Sequence, residues 1–472
     1  MYFAKFVHKS DGENFNMLHR KFKGKIRKGK IRGVVIAGLL GLFSTNLFAQ
    51  QVPSEHAVEA SLPTNASLEE LIAFALKNQG RIQQALIDEE IGEREIASAL
   101  SGWFPQVSAL ANYNRYFQLP SSGIGNQSVA VGQQNTGALI LQAEQKILNP
   151  ALLQASKAAA PLREHRDLAT ELTEINTVVT VSKAFYDILT SHEQVNIIRE
   201  NIARIQKQLD DATARYETGI VDKTDFKRAQ ISLSNSRADL KRVEELLVYK
   251  YANLKELIGM RSDQALSLAY DYQLMEQKIL LDTTARVDYQ DRVEYRQLRT
   301  LKRLQEINTQ YNKWSYLPNI SASYNYAWDF RHDQFSQLYR QHYPRSLFGL
   351  NLNLPIFQGG RRAQEIRISR LQEDRLDWDL YLLQQSINTE YQWALAAYKA
   401  TLNDWKTASD NVDLAREVYE VIQLQYNEGI KTYLDLMMAE TELRTTQLNY
   451  LNALNALMSG KLDAERALGM IK

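Results

Sequence analysis

Two periods alternate along this chain, and the alternation runs through twice. Stretches with apolar residues three and four apart, the mark of a helix, are expected at about 80–101, 152–216 and 223–258, and again at about 292–315, 361–426 and 432–468. After the first stretch of each set the period drops to two, the mark of a half-buried strand. Such strands are expected at about 106–117 and 137–147, then at about 319–330 and 346–355. The long stretches 152–216 and 361–426 contain Pro161 and otherwise no Pro or Gly, and good helix formers dominate them. At 1.5 Å per residue each would make a rod of roughly 100 Å. That exceeds a globular core and implies coiled-coil-like packing. Residues 80–101 and 223–258 together nearly match one long stretch, so two short helices stacked end to end are expected beside each long one. Gly219 and Gly429 fall where the long helix must reverse, in the left-handed conformation that Gly adopts without strain.

The strand faces are sharply divided. In the third strand Ile320, Ala322, Tyr324, Tyr326, Trp328 and Phe330 share one side, and Asn319, Ser321, Ser323, Asn325, Ala327 and Asp329 the other. Leu139, Leu141 and Ala143 oppose Gln142 and Glu144 in the second strand, and Val107, Ala109, Ala111 and Tyr113 oppose Ser108, Asn112 and Asn114 in the first. This pattern suits a soluble half-buried sheet or a tilted membrane-barrel strand. Aromatic residues at the strand ends, Trp103, Phe104, Trp314, Tyr316 and Phe357 among them, favour the barrel, whose interfacial girdles hold such rings. Closed membrane barrels need about eight or more strands, and an open edge cannot face lipid. Four strands in a membrane must therefore be completed by other chains.

The repetition extends to identities. Tyr216-Glu-Thr-Gly219-Ile220 recurs as Tyr426-Asn-Glu-Gly429-Ile430, Asp225 as Asp435, Leu233 as Leu443 and Gly259-Met260 as Gly469-Met470, all 210 residues apart. Trp103-Phe-Pro-Gln106 corresponds to Tyr316-Leu-Pro-Asn319 at an offset of 213. So long a period is a duplicated half-protein, since solenoid repeats run to about 50 residues. The first repeat is placed at 67–270 and the second at 292–472, with linkers at 50–66 and 271–291.

Charge separates one further segment. The whole chain of 472 residues balances to +1, but residues 1–49 carry ten Lys/Arg and two Asp/Glu, net +8, which leaves the remainder at −7. The basic run up to Arg32 precedes the apolar Gly33–Phe43 and the small Ala49, the layout of a secretory signal peptide, with Met17 an alternative start. Its apolar run is short for a membrane anchor, which needs roughly 20 residues. The chain has no cysteine, which excludes disulfides, thiolate metal sites, thiol nucleophiles and an N-terminal lipid-modified cysteine.

Taken with Leu148-Asn-Pro-Ala151, Leu354-Pro-Ile-Phe-Gln-Gly-Gly-Arg361 and the two tip motifs, these features resemble the TolC-like outer membrane factors over about 65–470. The resemblance implies an α+β membrane protein. Its long helical hairpins would form a trimeric α-barrel, and its four strands per chain a shared twelve-stranded β-barrel in the bacterial outer membrane. It implies a passive exit duct for efflux or type I secretion, reaching into the periplasm. Its partners would be two further copies, a periplasmic adaptor, an inner-membrane pump or ABC transporter, and outer-membrane lipid, with no cofactor. Tip turns at Tyr216, Gly219, Tyr426 and Gly429 would meet the adaptor. Asp435, Asp225 and Lys431 match the family's constriction, while its second acidic position is Met438 here, which leaves one ring. Three carboxylates around a narrow pore would favour cations. The plainer role for each Asp is to oppose the dipole of its helix.

Catalytic patterns are missing: there is no phosphate loop, dinucleotide fingerprint or nucleophile elbow. His332 and His342 with Asp333 have no standard zinc spacing. His165 and His192 stand alone on helices, as solvated or tunnel-wall residues. The basic run 20–32 precedes an apolar export segment and so is not a nucleic-acid site. Two rivals to the duct are a helical periplasmic or surface tether with a soluble sheet, and an adaptor, which usually carries one hairpin rather than two.

Overall fold

The computed structural model describes residues 65–124, 127–217, 223–269 and 279–471, all within the unit Glu59–Lys472. The expected leader at 1–49, Gly219 and the start of the 271–291 linker lie outside the described residues. Helices α1 (Leu68–Asn78) and α2 (Gly80–Leu100) lead through a 3-10 turn at Ser101–Trp103 into strand β1 (Gln106–Arg115). A short hairpin, β2 (Ser121–Ile124) and β3 (Gln127–Ala130), precedes β4 (Asn135–Leu148), α3 (Pro150–Glu217) and α4 (Lys223–Ile258). The second half runs α5 (Val293–Trp314), β5 (Asn319–His332), β6 (His342–Asn353), α6 (Arg361–Asn427) and α7 (Tyr433–Leu468).

The long helices α3 and α6 hold 68 and 67 residues. Helix α3 runs unbroken through the buried Pro161. Two elements depart from the periodicity reading. Helix α1 precedes the first expected helix and starts on a capping box, in which Glu70 N donates to Ser67 Oγ (3.2 Å) and Ser67 N to Glu70 Oε2 (2.8 Å). The Ser-x-x-Glu signature was present in the sequence. The hairpin β2–β3 falls inside a polar loop whose residues lack an alternating apolar pattern. The fourth strand also starts earlier than expected, at His342, so the loop before it shrinks to 333–341.

The four long strands form one antiparallel sheet in the order β1-β4-β5-β6. Its register aligns the apolar faces: Ala109 pairs with Leu141, Leu141 with Tyr326, and Tyr324 with Phe348. Because paired residues share a face, one apolar surface runs across all four strands. The inner neighbours β4 and β5 come from different halves, so the repeat joins through the sheet centre and leaves β1 and β6 as the two edges.

The helices stack end to end as the lengths implied. Gly259 closes α4 at φ +73°, and a Cβ there would lie 2.4 Å from Asn78 O at the α1–α2 junction. Its repeat partner Gly469 ends α7 at φ +74°, against Asp291 just ahead of α5. Only a residue without a Cβ turns left-handed at so close an approach. Nearby, the buried guanidinium of Arg292 donates to Glu294, to Glu390 of α6 at 3.0 Å and to Ala467 O of α7 at 3.0 Å. Burial is concentrated along helix seams rather than in one globular core: Ile188, Leu189, Ile198 and Ile205 of α3 are all buried.

Candidate functional site: the hairpin tip and the aromatic belt

At the tip of the second hairpin Gly429 has φ +77° and donates to Tyr426 O at 3.0 Å, while Ile430 N donates to Gln425 O at 2.8 Å. These bonds satisfy the last carbonyls of α6. Thr432 caps α7, and its N–H and hydroxyl donate to Asp435 Oδ2 at 2.9 and 2.7 Å. Those two donors, and then the Lys431 ammonium, hold the Asp435 carboxyl below the usual carboxylate range. The capping role is thus filled, and the same side chain keeps its negative charge at the helix start. Met438 is exposed, as are Leu434 one helical turn before it and Ile430 in the turn ahead of α7.

Asp225 occupies the first turn of α4 and is half-buried. Burial pushes the Tyr433 phenol far up, with the nearby Glu440, Tyr426 and, least, Asp225 adding to it. Tyr216 stacks on Phe226 with ring centroids 6.2 Å apart, and the buried Tyr426 meets Tyr433 edge-on at 6.2 Å. The fourth predicted tip residue, Gly219, lies outside the described residues.

The periodicity reading missed the most deeply buried carboxylate at this end. Glu440 of α7 is 3% exposed and takes hydrogen bonds from Asn201 Nδ2 (3.1 Å), Arg204 Nε (3.2 Å) and Gln208 Nε2 (2.6 Å), all on α3. It therefore ties the second hairpin to the first. Burial pushes its carboxyl up, and the three donors only partly offset this. A cleft of about 300 Å³ lined by Ile231, Asn235, Met437 and Arg444 opens onto it. The signal was legible: Tyr433, Leu436, Glu440 and Leu443 form one helical stripe, so Glu440 stands at an otherwise apolar position.

At the opposite end, the five predicted belt residues all sit where helices meet strands. Trp103 Nε1 donates to Ser156 Oγ at 2.9 Å, and the Lys157 ammonium lies 4.6 Å from the Trp314 ring. The Arg362 guanidinium covers Tyr316 at 4.9 Å, while Phe104 and Phe357 are largely exposed. A second aromatic group lies at the other end of the strands, where Tyr113 meets Phe335 at 5.4 Å and Phe330 meets Tyr339 at 5.1 Å. Tyr113 and Phe330 are strand-end aromatics that the sequence marks, whereas Phe335, Leu338 and Tyr339 belong to a polar loop whose fold back onto the apolar face has no local signal. Leu338 is fully buried there. Among the described residues no three His, Asp or Glu side chains converge on a metal position, and His332 Nδ1 accepts from Gln334 N at 3.0 Å. Nor is His192 merely solvated, for its Nε2 lies 2.8 Å from Tyr251 Oη between α3 and α4.

The family model for outer membrane efflux proteins matches residues 71–260 and 303–469, the two halves in turn. The chain belongs to this family. As an outer membrane efflux protein it is a non-enzymatic channel component of an efflux pump in the bacterial outer membrane. The tether and adaptor readings are thereby set aside. The chain is 21% identical to outer membrane protein TolC of Vibrio cholerae over 432 residues, covering 88% of this chain and 94% of that one. It is also 21% identical to a probable efflux pump outer membrane protein, TtgC of Pseudomonas putida, with 85% and 83% covered. Among solved structures it resembles the outer membrane protein VceC of V. cholerae, with a TM-score of 0.69 and 15% identity over 85% of this chain and 96% of that one. A membrane protein from Pseudomonas aeruginosa gives a TM-score of 0.71 and 18% identity, with 89% and 99% covered. At these identities the structures establish the shared fold. No helix of the described residues is long and apolar enough to cross a membrane.

Proposed function

We propose that three copies of this outer membrane efflux protein close one barrel of twelve strands, which continues into a helical tunnel of about 100 Å. The observation that carries this reading is the in-register apolar face across a sheet with two unpaired edges, since lipid tolerates a strand only in a closed ring. The tips at Tyr216, Gly219, Tyr426 and Gly429 form the periplasmic end, where an adaptor joined to an inner-membrane transporter docks and opens the duct. Trp103, Phe104, Trp314, Tyr316 and Phe357 mark the periplasmic membrane interface, where amphipathic rings settle.

Asp435 supplies one ring of three carboxylates at the constriction, with Asp225 and Lys431 beside it. Its depressed ionisation keeps the ring charged at neutral pH, and converging negative charge in a narrow pore attracts cations. Conductance of the purified protein in a planar bilayer tests the duct, and a monodisperse preparation that never conducts refutes it. Asp435→Ala is expected to weaken block by divalent cations added from the periplasmic side. Unchanged block affinity removes Asp435 from the constriction.

A further inference from the structure

At the end of the sheet away from the helices, the loop 333–341 closes over the apolar face instead of standing clear of it. Tyr113, Gly137 and Phe330 are register partners on that face. Phe335 packs on Tyr113 and Tyr339 on Phe330, and Leu338 Cδ2 would lie 3.9 Å from a Cβ at Gly137. Polar bonds hold the loop in place. Asn135, 3% exposed, donates to Asp333 O at 2.7 Å and accepts from Tyr113 Oη at 2.7 Å, and Gln134 N donates to Asp333 Oδ1 at 3.1 Å. Even so, Phe335 and Tyr339 remain 58% and 60% exposed. A loop fixed in this way presents two rings to whatever surrounds the barrel.

Their height is that of a membrane interface. Ten residues separate Ile320 from Phe330 along β5. At about 3.4 Å per residue on a strand tilted roughly 40°, they span about 26 Å, close to the ~25 Å apolar band of an outer-membrane barrel. Trp314 and Tyr316 mark one boundary of that band, and Phe330, Phe335 and Tyr339 fall at the other. Arg115 and His332 both align with Asn135, two residues beyond Tyr113 and Phe330 on the same face. They stand about 5 Å higher, at the level of lipid headgroups.

Charge at that level leans one way. Residues 113–136 and 327–347 hold four arginines and two aspartates, in a chain whose part after residue 49 is net −7. On the polar face Arg345 pairs with Asp329 at 3.4 Å, and the Arg331 guanidinium covers the Tyr343 ring at 4.2 Å. On the apolar side Asp333 is occupied by Gln134 N, and among the described residues neither Arg115 nor Arg340 has a carboxylate partner. Arg115 lies 5.7 Å from the ring of Phe117, which is 92% exposed. Arg340 directly follows Tyr339 in the loop and is exposed. The lipid side thus carries two guanidinium groups beside three exposed rings.

We propose that Arg115 and Arg340 bind the phosphate groups of a lipid in the outer leaflet, while Phe117, Phe335 and Tyr339 pack on its acyl chains at the boundary. The lipid is of the phosphorylated glycolipid class, lipopolysaccharide, that fills this leaflet of a bacterial outer membrane. A planar guanidinium matches phosphate oxygens in pairs. The rings supply the apolar contact that a free phosphate ion cannot use. Repeated around the trimer, the arginines make a positive collar on the outside of an otherwise acidic duct. This site rests on the trimeric duct reading and adds a lipid contact at the end opposite the tips.

The probe is lipid A, the phosphorylated and acylated anchor of that glycolipid, added to the purified protein in detergent and counted on the intact trimer by native mass spectrometry. The unmodified trimer is expected to bind it, and to bind lipid A stripped of its phosphates at least several-fold more weakly. Arg340→Gln is expected to weaken binding roughly fivefold, and Arg115→Gln with Arg340→Gln to weaken it further. Arg345→Gln, on the polar face, is expected to leave it unchanged. Phe335→Ser with Tyr339→Ser is expected to weaken both lipids alike and keep the preference for phosphate. Equal binding of the two lipids, or unchanged binding in the double arginine variant, overturns the site. Displacement of lipid A by millimolar inorganic phosphate assigns a free-anion site and overturns it as well. Any of these results in protein that still conducts leaves the duct reading standing, whereas monomeric protein that never conducts overturns the duct and the site together.

Discussion

Glu440 illustrates how one residue can set the behaviour of a long structure. A buried carboxylate costs several kcal/mol to desolvate, and among the described residues α3 offsets that cost through Asn201, Arg204 and Gln208. Removing the charged partner with Arg204→Met leaves the carboxylate uncompensated and is expected to destabilise the tip by about 3 kcal/mol, read as faster hydrogen exchange in α7. The pH dependence has a definite sign. Burial raises the folded-state pKa of Glu440 above its unfolded value, so the packed tip binds the proton more tightly than the separated one. The resulting stability is fully present below the ordinary Glu value of about 4.3 and is lost as pH rises through the raised folded value. Exchange protection of α7 is therefore expected to fall across that window in the unmodified protein and to change little in Glu440→Gln. A window that persists in Glu440→Gln assigns it to another group. Asp435 behaves oppositely. Its depressed value makes the capping contribution present above the ordinary Asp range and lost as pH falls through the lowered value.

At the scale of elements, the joints between helices matter more than the helices themselves. A 68-residue helix of Ala, Leu, Gln and Glu forms readily, but its placement depends on where the short helices end. Gly259→Ala forces a Cβ to 2.4 Å from Asn78 O and holds a left-handed backbone. The left-handed conformation alone costs about 1–2 kcal/mol for an L-residue. The whole substitution is expected to lower stability by more than about 2 kcal/mol, and to shift the thermal unfolding midpoint down. At Gly469 the nearest atom to an added Cβ is 3.1 Å away, so Gly469→Ala is expected to cost less. Equal losses at the two sites would show that the approach to Asn78 is not the cause.

The whole molecule is organised by what one chain leaves unfinished. Among the described residues the long sheet has two open edges, β1 and β6, while β4 and β5 are paired on both sides. The apolar sheet face gives this a direct test at the membrane. Leu141→Arg, midway along β4 on that face, is expected to cost about 2–4 kcal/mol and to reduce heat-resistant trimer recovered from outer membranes. Gln142→Arg, one residue on and facing the other way, is expected to leave the trimer largely intact. Equal loss for both would mean that the two faces do not see different solvents.

The sequence alone determined the number and kind of the long elements, the duplication and the apolar sheet face. Each rests on a local repeat, 3.6, 2 or 210 residues, that survives in one dimension. It also marked Asp435, Gly429 and the aromatic strand ends, because residue type and position in a turn or at a strand end are local facts. Only the tertiary structure decided that β4 pairs with β5 across the two halves, since register depends on residues about 190 apart in the chain. It likewise decided that Asn201, Arg204 and Gln208 gather around Glu440 from more than 230 residues away. The loop at 333–341 folds over Tyr113 and Phe330 for the same reason. In each case burial is a property of what lies opposite, and a single helix or strand carries no record of its neighbour until the chain has folded.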